Sequence, residues 1–290
     1  MMRKTLSTCT LLIAAAAVLA GCATAAPPIG SASASSPSIA ASATPNPIST
    51  PTTAATPPAL PDLDASDLER IAQTRIFFGH RSVGSDIVEL GVPAVYERFG
   101  VAPPDVSSGS PLGAGSAGDQ WLAQTDDPRV KIDDFEEWIR ERSVATASDI
   151  AFMKLGYVDI LAETDLQAVF DHYRAVLDGL ETDFPAMMFL HATVSPTRWD
   201  PWNNAAIERF NTLMRTTYAD SGSLYDLAAV LSTCPDGTID AHETDDGLAY
   251  VQLCADYSRD GGHLSQLGSE VAATELLRLL AAVTGDAAAG

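Results

Sequence analysis

The sequence predicts an α/β domain built on a mostly parallel sheet of about five strands with helices on both faces. Three observations carry this expectation. Short apolar runs alternate with amphipathic stretches from about residue 75 to residue 283. Three of the runs are nearly continuous in hydrophobic residues, as strands buried on both faces require. The stretches between them repeat apolar residues at helical spacing.

Arg75-Ile76-Phe77-Phe78-Gly79 reads as the first strand, and a short one lies near Asp105-Val106-Ser107. Asp149–Met153, Ala186–His191 and Ser223–Leu227 follow. Leu166, Val169, Phe170, Tyr173, Leu177 and Leu180 mark one crossover helix, and Ile207, Phe210, Met214 and Tyr218 a second. A last helix runs from about Ser265, with Leu267, Val271, Leu276, Leu280 and Val283 on its inner face. The helix after the first strand reads as interrupted, because Gly91 and Pro93 break the pattern that Ile87 and Leu90 begin. No internal repeat is visible.

The N-terminus has a different composition. Arg3 and Lys4 precede an apolar run, Leu11 to Leu19, too short to span a bilayer as a helix. Leu19-Ala20-Gly21-Cys22 resembles the bacterial lipobox, which implies a signal peptide over residues 1–21 and a diacylglycerol on the Cys22 thiol. An ordinary secretory signal cut near Ala26 is the alternative. Residues 23–60 carry no charge and are dominated by Ala, Ser, Thr and Pro, the composition of an extended tether. The expected organisation is a signal (1–21), a lipidated tether (22–60) and one domain (61–290). The expected location is outside the cytoplasmic membrane, anchored to its outer face through the lipid on Cys22.

All 38 Asp and Glu lie beyond residue 60, against 15 of the 17 Lys and Arg, so the domain has a formal charge of −23. Nucleic acid is therefore not an expected partner. Cys9 leaves with the signal, and Cys234 and Cys254 remain as a pair in an oxidising compartment. A disulfide between them would stabilise the domain by roughly 3 kcal/mol in the chain-entropy model.

In open parallel sheets reactive groups gather at the carboxyl ends of strands. Two segments stand out there: Gly79-His80-Arg81-Ser82-Val83-Gly84 after the first strand, and Asp260-Gly261-Gly262-His263-Leu264 before the last helix. A serine becomes a nucleophile when a base takes its proton, an acid orients the base and donors await the oxyanion. Ser82, His263 and Asp260 fit those roles. Asp and His three residues apart let the carboxylate hold the imidazole within one loop.

At these residues the chain resembles the SGNH or GDSL hydrolases. Asp260-Gly-Gly-His263-Leu264 followed by Gly268 is similar to that family's final block. The resemblance implies a flavodoxin-like three-layer α/β/α sandwich, a Ser-His-Asp triad and no cofactor. Two blocks depart from the pattern. The family's Gly-Asp-Ser appears as Gly79-His80-Arg81-Ser82, and its Gly-x-Asn-Asp appears as Gly156-Tyr157-Val158-Asp159. Val158 cannot donate a hydrogen bond, so the side-chain oxyanion donor is absent unless Lys154, Tyr157 or His80 replaces it. The glycine of the second block is expected in the loop from Ser108 to Gly118, with Gly115 favoured over Gly109, Gly113 and Gly118.

His191, at the end of the fourth predicted strand, is a candidate substrate contact, as is Gly156. Trp121, Trp199 and Trp202 are candidates for stacking on sugar rings. No His and carboxylate cluster has metal-ligand spacing. An α/β-hydrolase, whose Gly-x-Ser-x-Gly elbow is nearly matched at His80–Gly84, is set aside because a single strand precedes Ser82 and acid and base share one loop. The expected activity is a monomeric serine esterase acting on a small-molecule or polysaccharide ester. The alternatives are a non-catalytic envelope- or carbohydrate-binding lipoprotein on the same fold and an O-acyltransferase with the same residues.

Overall fold

The structure, a computed structural model, describes residues 62–289. The signal, Cys22 and the tether lie outside the described residues. Helix α1 (Ala65–Gln73) opens with a capping box between Asp64 and Asp67 and buries Leu68 and Ile71. Strand β1 (Ile76–His80) is buried along its whole length. A first turn, α2 (Val83–Ser85), runs into a π-helical segment, Asp86–Gly91, and then into α3 (Val92–Phe99). Strands β2 (Asp105–Ser108) and β3 (Ser116–Trp121) are followed by α4 (Pro128–Glu141) and the short α5 (Val144–Ala147). Strand β4 (Ile150–Met153), α6 (Leu166–Asp183), β5 (Met188–Ala192), α7 (Pro201–Tyr218) and β6 (Leu224–Tyr225) continue the alternation. Helix α8 (Leu227–Ser232), a small hairpin of β7 (Ala241–Glu243) and β8 (Ala249–Val251), and the long α9 (Gln266–Ala289) complete the chain.

Strands β2-β3-β1-β4-β5-β6 form one sheet in that order, with every neighbouring pair parallel. Helices α1, α3 and α9 cover one face, and α4, α6 and α7 the other. This is the predicted three-layer α/β/α sandwich. Alternation along β1 sends Phe77 toward Phe135 of α4, with centroids 6.0 Å apart, and Phe78 onto Phe152, 4.2 Å away on the α9 side. Cys234 and Cys254 are disulfide-bonded across the segment that carries the β7–β8 hairpin.

Two expectations change. The sheet has six strands, because β3 occupies part of the stretch expected to be a Gly-rich loop. Ser-Ala-Gly-Asp-Gln-Trp contains no apolar run, so its strand state comes from backbone pairing with β1 on one side and β2 on the other. The helix after β1 is continuous rather than interrupted. Pro93 lies inside this run, directly after a π turn in which the Val92 N–H pairs with the Ile87 carbonyl, so the helix loses one hydrogen bond at the proline without ending there. The π turn before it absorbs an extra residue.

Gly91 has a packing reason instead of a breaking one. A Cβ there would lie 2.1 Å from the Ser269 carbonyl oxygen and 2.7 Å from Ala273 Cβ, because the π turn rests directly on α9. The obstacle is backbone, which cannot swing aside. Gly91→Ala is expected to lower the stability of the purified domain by about 1–3 kcal/mol, as overpacking does. Urea denaturation checks this, and an unchanged midpoint would contradict the close approach.

Candidate active site

Because all six strands run the same way, their carboxyl ends share one edge of the sheet. A cleft of about 290 Å³ opens at that edge. Arg81, Ser82, Trp121, Lys154, Tyr157 and His263 line it, drawn from the segments after β1 and β4, the last residue of β3 and the loop before α9.

Ser82 joins β1 to α2 with φ 53° and ψ −107°. Apart from Ser143 it is the sole non-glycine residue with positive φ among the described residues. Such a conformation costs on the order of 1–3 kcal/mol and persists only where surrounding structure imposes it. Its Oγ is buried and makes no hydrogen bond of ordinary geometry. The backbone amides of Ser82 and Val83 likewise donate to no described residue, so two N–H groups stand free beside the hydroxyl. Burial pushes the Tyr157 phenol up from its ordinary pKa, and the nearby Ser82 hydroxyl partly offsets that push.

The loop before α9 brings the predicted base and acid together. His263 Nδ1 lies 2.8 Å from Asp260 Oδ2, while Asp260 Oδ1 accepts from the amides of His263 at 2.8 Å and Gly262 at 3.0 Å. Those amides, and then the imidazole, hold the Asp260 carboxyl well below the usual carboxylate range. With Nδ1 engaged, Nε2 has no partner among the described residues and is left for the cleft. Trp199 fixes the loop from outside: its indole N–H donates to the Asp260 carbonyl at 3.2 Å, and its ring lies flat enough on Gly261 and Gly262 that any Cβ there would overlap it. Gly261 also has φ 102°, which only glycine adopts readily.

Asp86, one helical turn after Ser82, joins the two halves. Its Oδ2 accepts from the Leu264 amide at 3.0 Å, and Oδ1 lies 3.4 Å from the Arg259 guanidinium. Sequence reading missed this residue, because an acid in a helical first turn looks like any surface acid.

The segment after β4 is held by a buried charge network. Lys131 Nζ reaches Asp159 Oδ2 at 2.5 Å and Gln124 Oε1 at 3.0 Å, and Gln124 donates back to Asp159 Oδ1 at 2.9 Å. The Gly156 amide also donates to Asp159, at 2.5 Å. Gly156 therefore lines the cleft with its N–H already used, and is not a free oxyanion donor. Lys154 is 1% exposed and has no hydrogen-bond or ion-pair partner among the described residues. Burial, with the Lys131 charge adding to it, pushes its pKa down to about 7.

Three expected site residues lie elsewhere. Gly115 precedes β3 and so sits at the amino edge of the sheet, roughly 20 Å along the strand from Trp121. The missed strand is the cause of that error. His191 is buried within the sheet instead of ending a strand at the cleft. Its Nδ1 lies 3.0 Å from the Tyr173 hydroxyl, and its ring stacks on Tyr218 at 3.6 Å. His80 lies beneath the cleft, fully buried and paired with Asp119. Of the tryptophans, Trp121 lines the cleft, Trp199 packs on the His263 loop, and Trp202 lies in the exposed first turn of α7.

No protein-family model matches the chain, and no curated protein does. Solved structures similar to it include a Streptococcus pneumonia protein named as a platelet activating factor, 16% identical over 74% of this chain and 93% of that one, with a TM-score of 0.47. A Desulfitobacterium hafniense protein named as lipolytic and of the G-D-S-L family is 15% identical over 71% of this chain and 99% of its own, at 0.46. A lipase/acylhydrolase from Enterococcus faecalis is 15% identical over 73% and 95%, at 0.41.

The lowered pKa of Lys154 makes stability depend on pH with a definite sign. Between pH 7 and the ordinary lysine value of 10.5 the unfolded chain holds a proton that the folded protein lacks. The group's cost is thus fully present below pH 7 and is relieved as pH rises, by roughly 1.4 kcal/mol per unit. Lys154→Met is expected to be more stable than the wild type near pH 6, with the difference shrinking by about 3 kcal/mol by pH 9. Urea midpoints across that range measure it, and a pH-independent difference would contradict the assignment.

Proposed function

We propose that the domain is a serine esterase in which Ser82 is the nucleophile, His263 the general base and Asp260 the residue that orients it. What supports this most is one arrangement: a strained serine with an unpartnered buried hydroxyl shares a cleft with a histidine whose far nitrogen is fixed by a carboxylate.

Ser82 Oγ attacks the ester carbonyl carbon as its proton passes to His263 Nε2. The carbonyl oxygen becomes an oxyanion, which the free amides of Ser82 and Val83 receive. The carbonyl re-forms, the bond to the alcohol breaks, and His263 returns the proton to the departing alcohol. Water then attacks the acyl-serine with His263 again taking a proton, which ends on Ser82 as the carboxylic acid leaves. An acceptor alcohol in place of that water gives the acyltransferase form of the same chemistry. With Val158 in place of a side-chain donor and Gly156 N–H engaged, the oxyanion lacks two donors unless Lys154 or Tyr157 contributes, and each missing donor lowers the rate by about 10² to 10³.

Exposed Trp121 at the rim gives a sugar ring a surface to stack on. O-acyl groups on cell-envelope or environmental carbohydrate are the proposed substrates. Lipid on Cys22 would hold the domain on the outer face of the membrane at the end of an uncharged tether. In an expressing bacterium Cys22→Ser is expected to move the full chain from the membrane pellet to the soluble fraction, and its retention in the pellet would contradict the anchor.

The decisive experiment is covalent capture. A fluorophosphonate probe is expected to label the wild type and not Ser82→Ala, and turnover of a short-chain aryl ester is expected to fall at least 10³-fold in Ser82→Ala and by about 10² to 10⁴ in Asp260→Asn. Equal turnover by wild type and Ser82→Ala would overturn the assignment. Repeated failure of the folded protein to label would support the second reading, a non-catalytic binding lipoprotein, which Val158 and the engaged Gly156 amide favour.

A further inference from the structure

The cleft carries cationic groups that esterase chemistry alone does not use. The domain is strongly acidic, and most of its Lys and Arg side chains are tied to carboxylates, as Arg75 is to Asp149 and Arg215 to Asp226. Among the described residues only Arg81, Arg98, Lys154 and Arg209 have no carboxylate within 4 Å. Arg98 and Arg209 are exposed and solvated. Arg81 and Lys154 line the same cleft.

Both are held as a ligand site would hold them. The Arg81 Nε donates to the Leu122 carbonyl, and its guanidinium lies 5.4 Å from the Trp121 ring centroid. A carbonyl and a ring therefore position the fork, while its terminal nitrogens keep their donors unused. Lys154 is 1% exposed and unpartnered. Its charge is opposed by burial and by Lys131, and favoured by Asp159 and Asp86. Neither acid is free to serve it: Asp159 is bound by Lys131, Gln124 and Gly156, and Asp86 by Leu264 and Arg259. Asp260 is likewise occupied by the His263 loop. A buried cation with no internal partner is destabilising, and an anion from outside removes that cost.

Building on the esterase reading, we propose that the substrate carries a negatively charged group, a carboxylate or a phosphate, close to its ester, and that Arg81 and Lys154 receive it. Arg81 offers the bidentate fork and Lys154 a point charge at the base of the cleft. The pair acts in binding and selects among esters; the acyl transfer itself stays with Ser82.

Matched probes test this. For the alcohol side, 3-acetoxybenzoate is compared with 3-acetoxybenzamide; for the acyl side, 4-nitrophenyl hydrogen succinate is compared with 4-nitrophenyl butyrate. In at least one pair the anionic member is expected to have a kcat/KM about 10- to 100-fold higher, as charge-assisted pairing provides. That ratio is expected to collapse toward one in both Arg81→Gln and Lys154→Met, and to fall with added salt. Direct titration of the Ser82→Ala protein with each probe, followed by NMR, gives the same comparison without turnover. Anionic and neutral members that bind and react equally would overturn the inference while Ser82-dependent turnover left the esterase standing. Preferential anion binding by a protein that no fluorophosphonate labels would do the reverse. Retention of the preference in both variants would also overturn it.

Discussion

The site depends on a single carboxylate. Ser82 and His263 lie far apart in the sequence, on opposite ends of the domain, and the sheet by itself fixes neither distance nor angle between their loops. Asp86 supplies both. It lies one turn into the helix that Ser82 begins, and it accepts the amide of Leu264, the residue after His263. The hydrogen bond is from backbone to a buried carboxylate, so it constrains main-chain position and not merely a side chain. Removing the acceptor would leave a buried N–H unsatisfied and the two loops free to drift, so that Ser82 and His263 would no longer be held to one position in the cleft. The π turn that starts at Asp86 belongs to the same device. By widening the helix there it brings the chain against α9, which the His263 loop feeds directly.

A second buried network has a mixed effect. Lys131 and Asp159 are almost fully desolvated, and such a pair contributes less to stability than to definition, because desolvation offsets much of the Coulomb attraction. What it defines is the turn after β4: Asp159 takes the Gly156 amide and so sets the floor of the cleft. The same hydrogen bond leaves the Gly156 N–H unavailable to a ligand in the cleft. The floor is rigid because that N–H is engaged, and Lys154 beside it is buried with no side-chain partner among the described residues.

Much of this was legible in the residues. Continuous apolar runs marked β1, β4 and β5 because a strand covered on both faces must be apolar throughout, and helical spacing marked α6, α7 and α9. Strand β3 was not legible, since Ser116–Trp121 owes its state to neighbours on both sides and carries no apolar signal. That omission displaced Gly115 from its expected place. Asp260 and His263 were readable because their partnership is local, three residues apart, and short spacing is visible in sequence. Asp86, Trp199 and the orientation of Arg81 act through tertiary partners tens of residues away, for which no local pattern exists. His191 misled for a related reason: whether a strand-end histidine faces the cleft or the helices depends on where pairing stops, and here β6 carries the sheet past it.

The strain at Ser82 and the stiffness of the His263 loop are complementary. A serine at φ 53° would relax if its surroundings yielded, so the elements on either side must be stiffer than the turn itself. On one side β1 is buried between β3 and β4. On the other, the His263 loop is fixed at several points: Trp199 across Gly261 and Gly262, the Arg198 amide on the Gly261 carbonyl at 2.7 Å, and the Arg259 amide on the His263 carbonyl at 2.9 Å. Its upstream end leaves Cys254, which is tied to α8 by its disulfide to Cys234 and by its backbone N–H, which donates to the Leu231 carbonyl. The disulfide thus steadies the approach to the loop, whereas the geometry of Asp260 and His263 is set by hydrogen bonds within the loop. Opening the disulfide would lower global stability through loop entropy, yet it would disturb the Asp260–His263 pair only after the nearer contacts of Trp199 had given way.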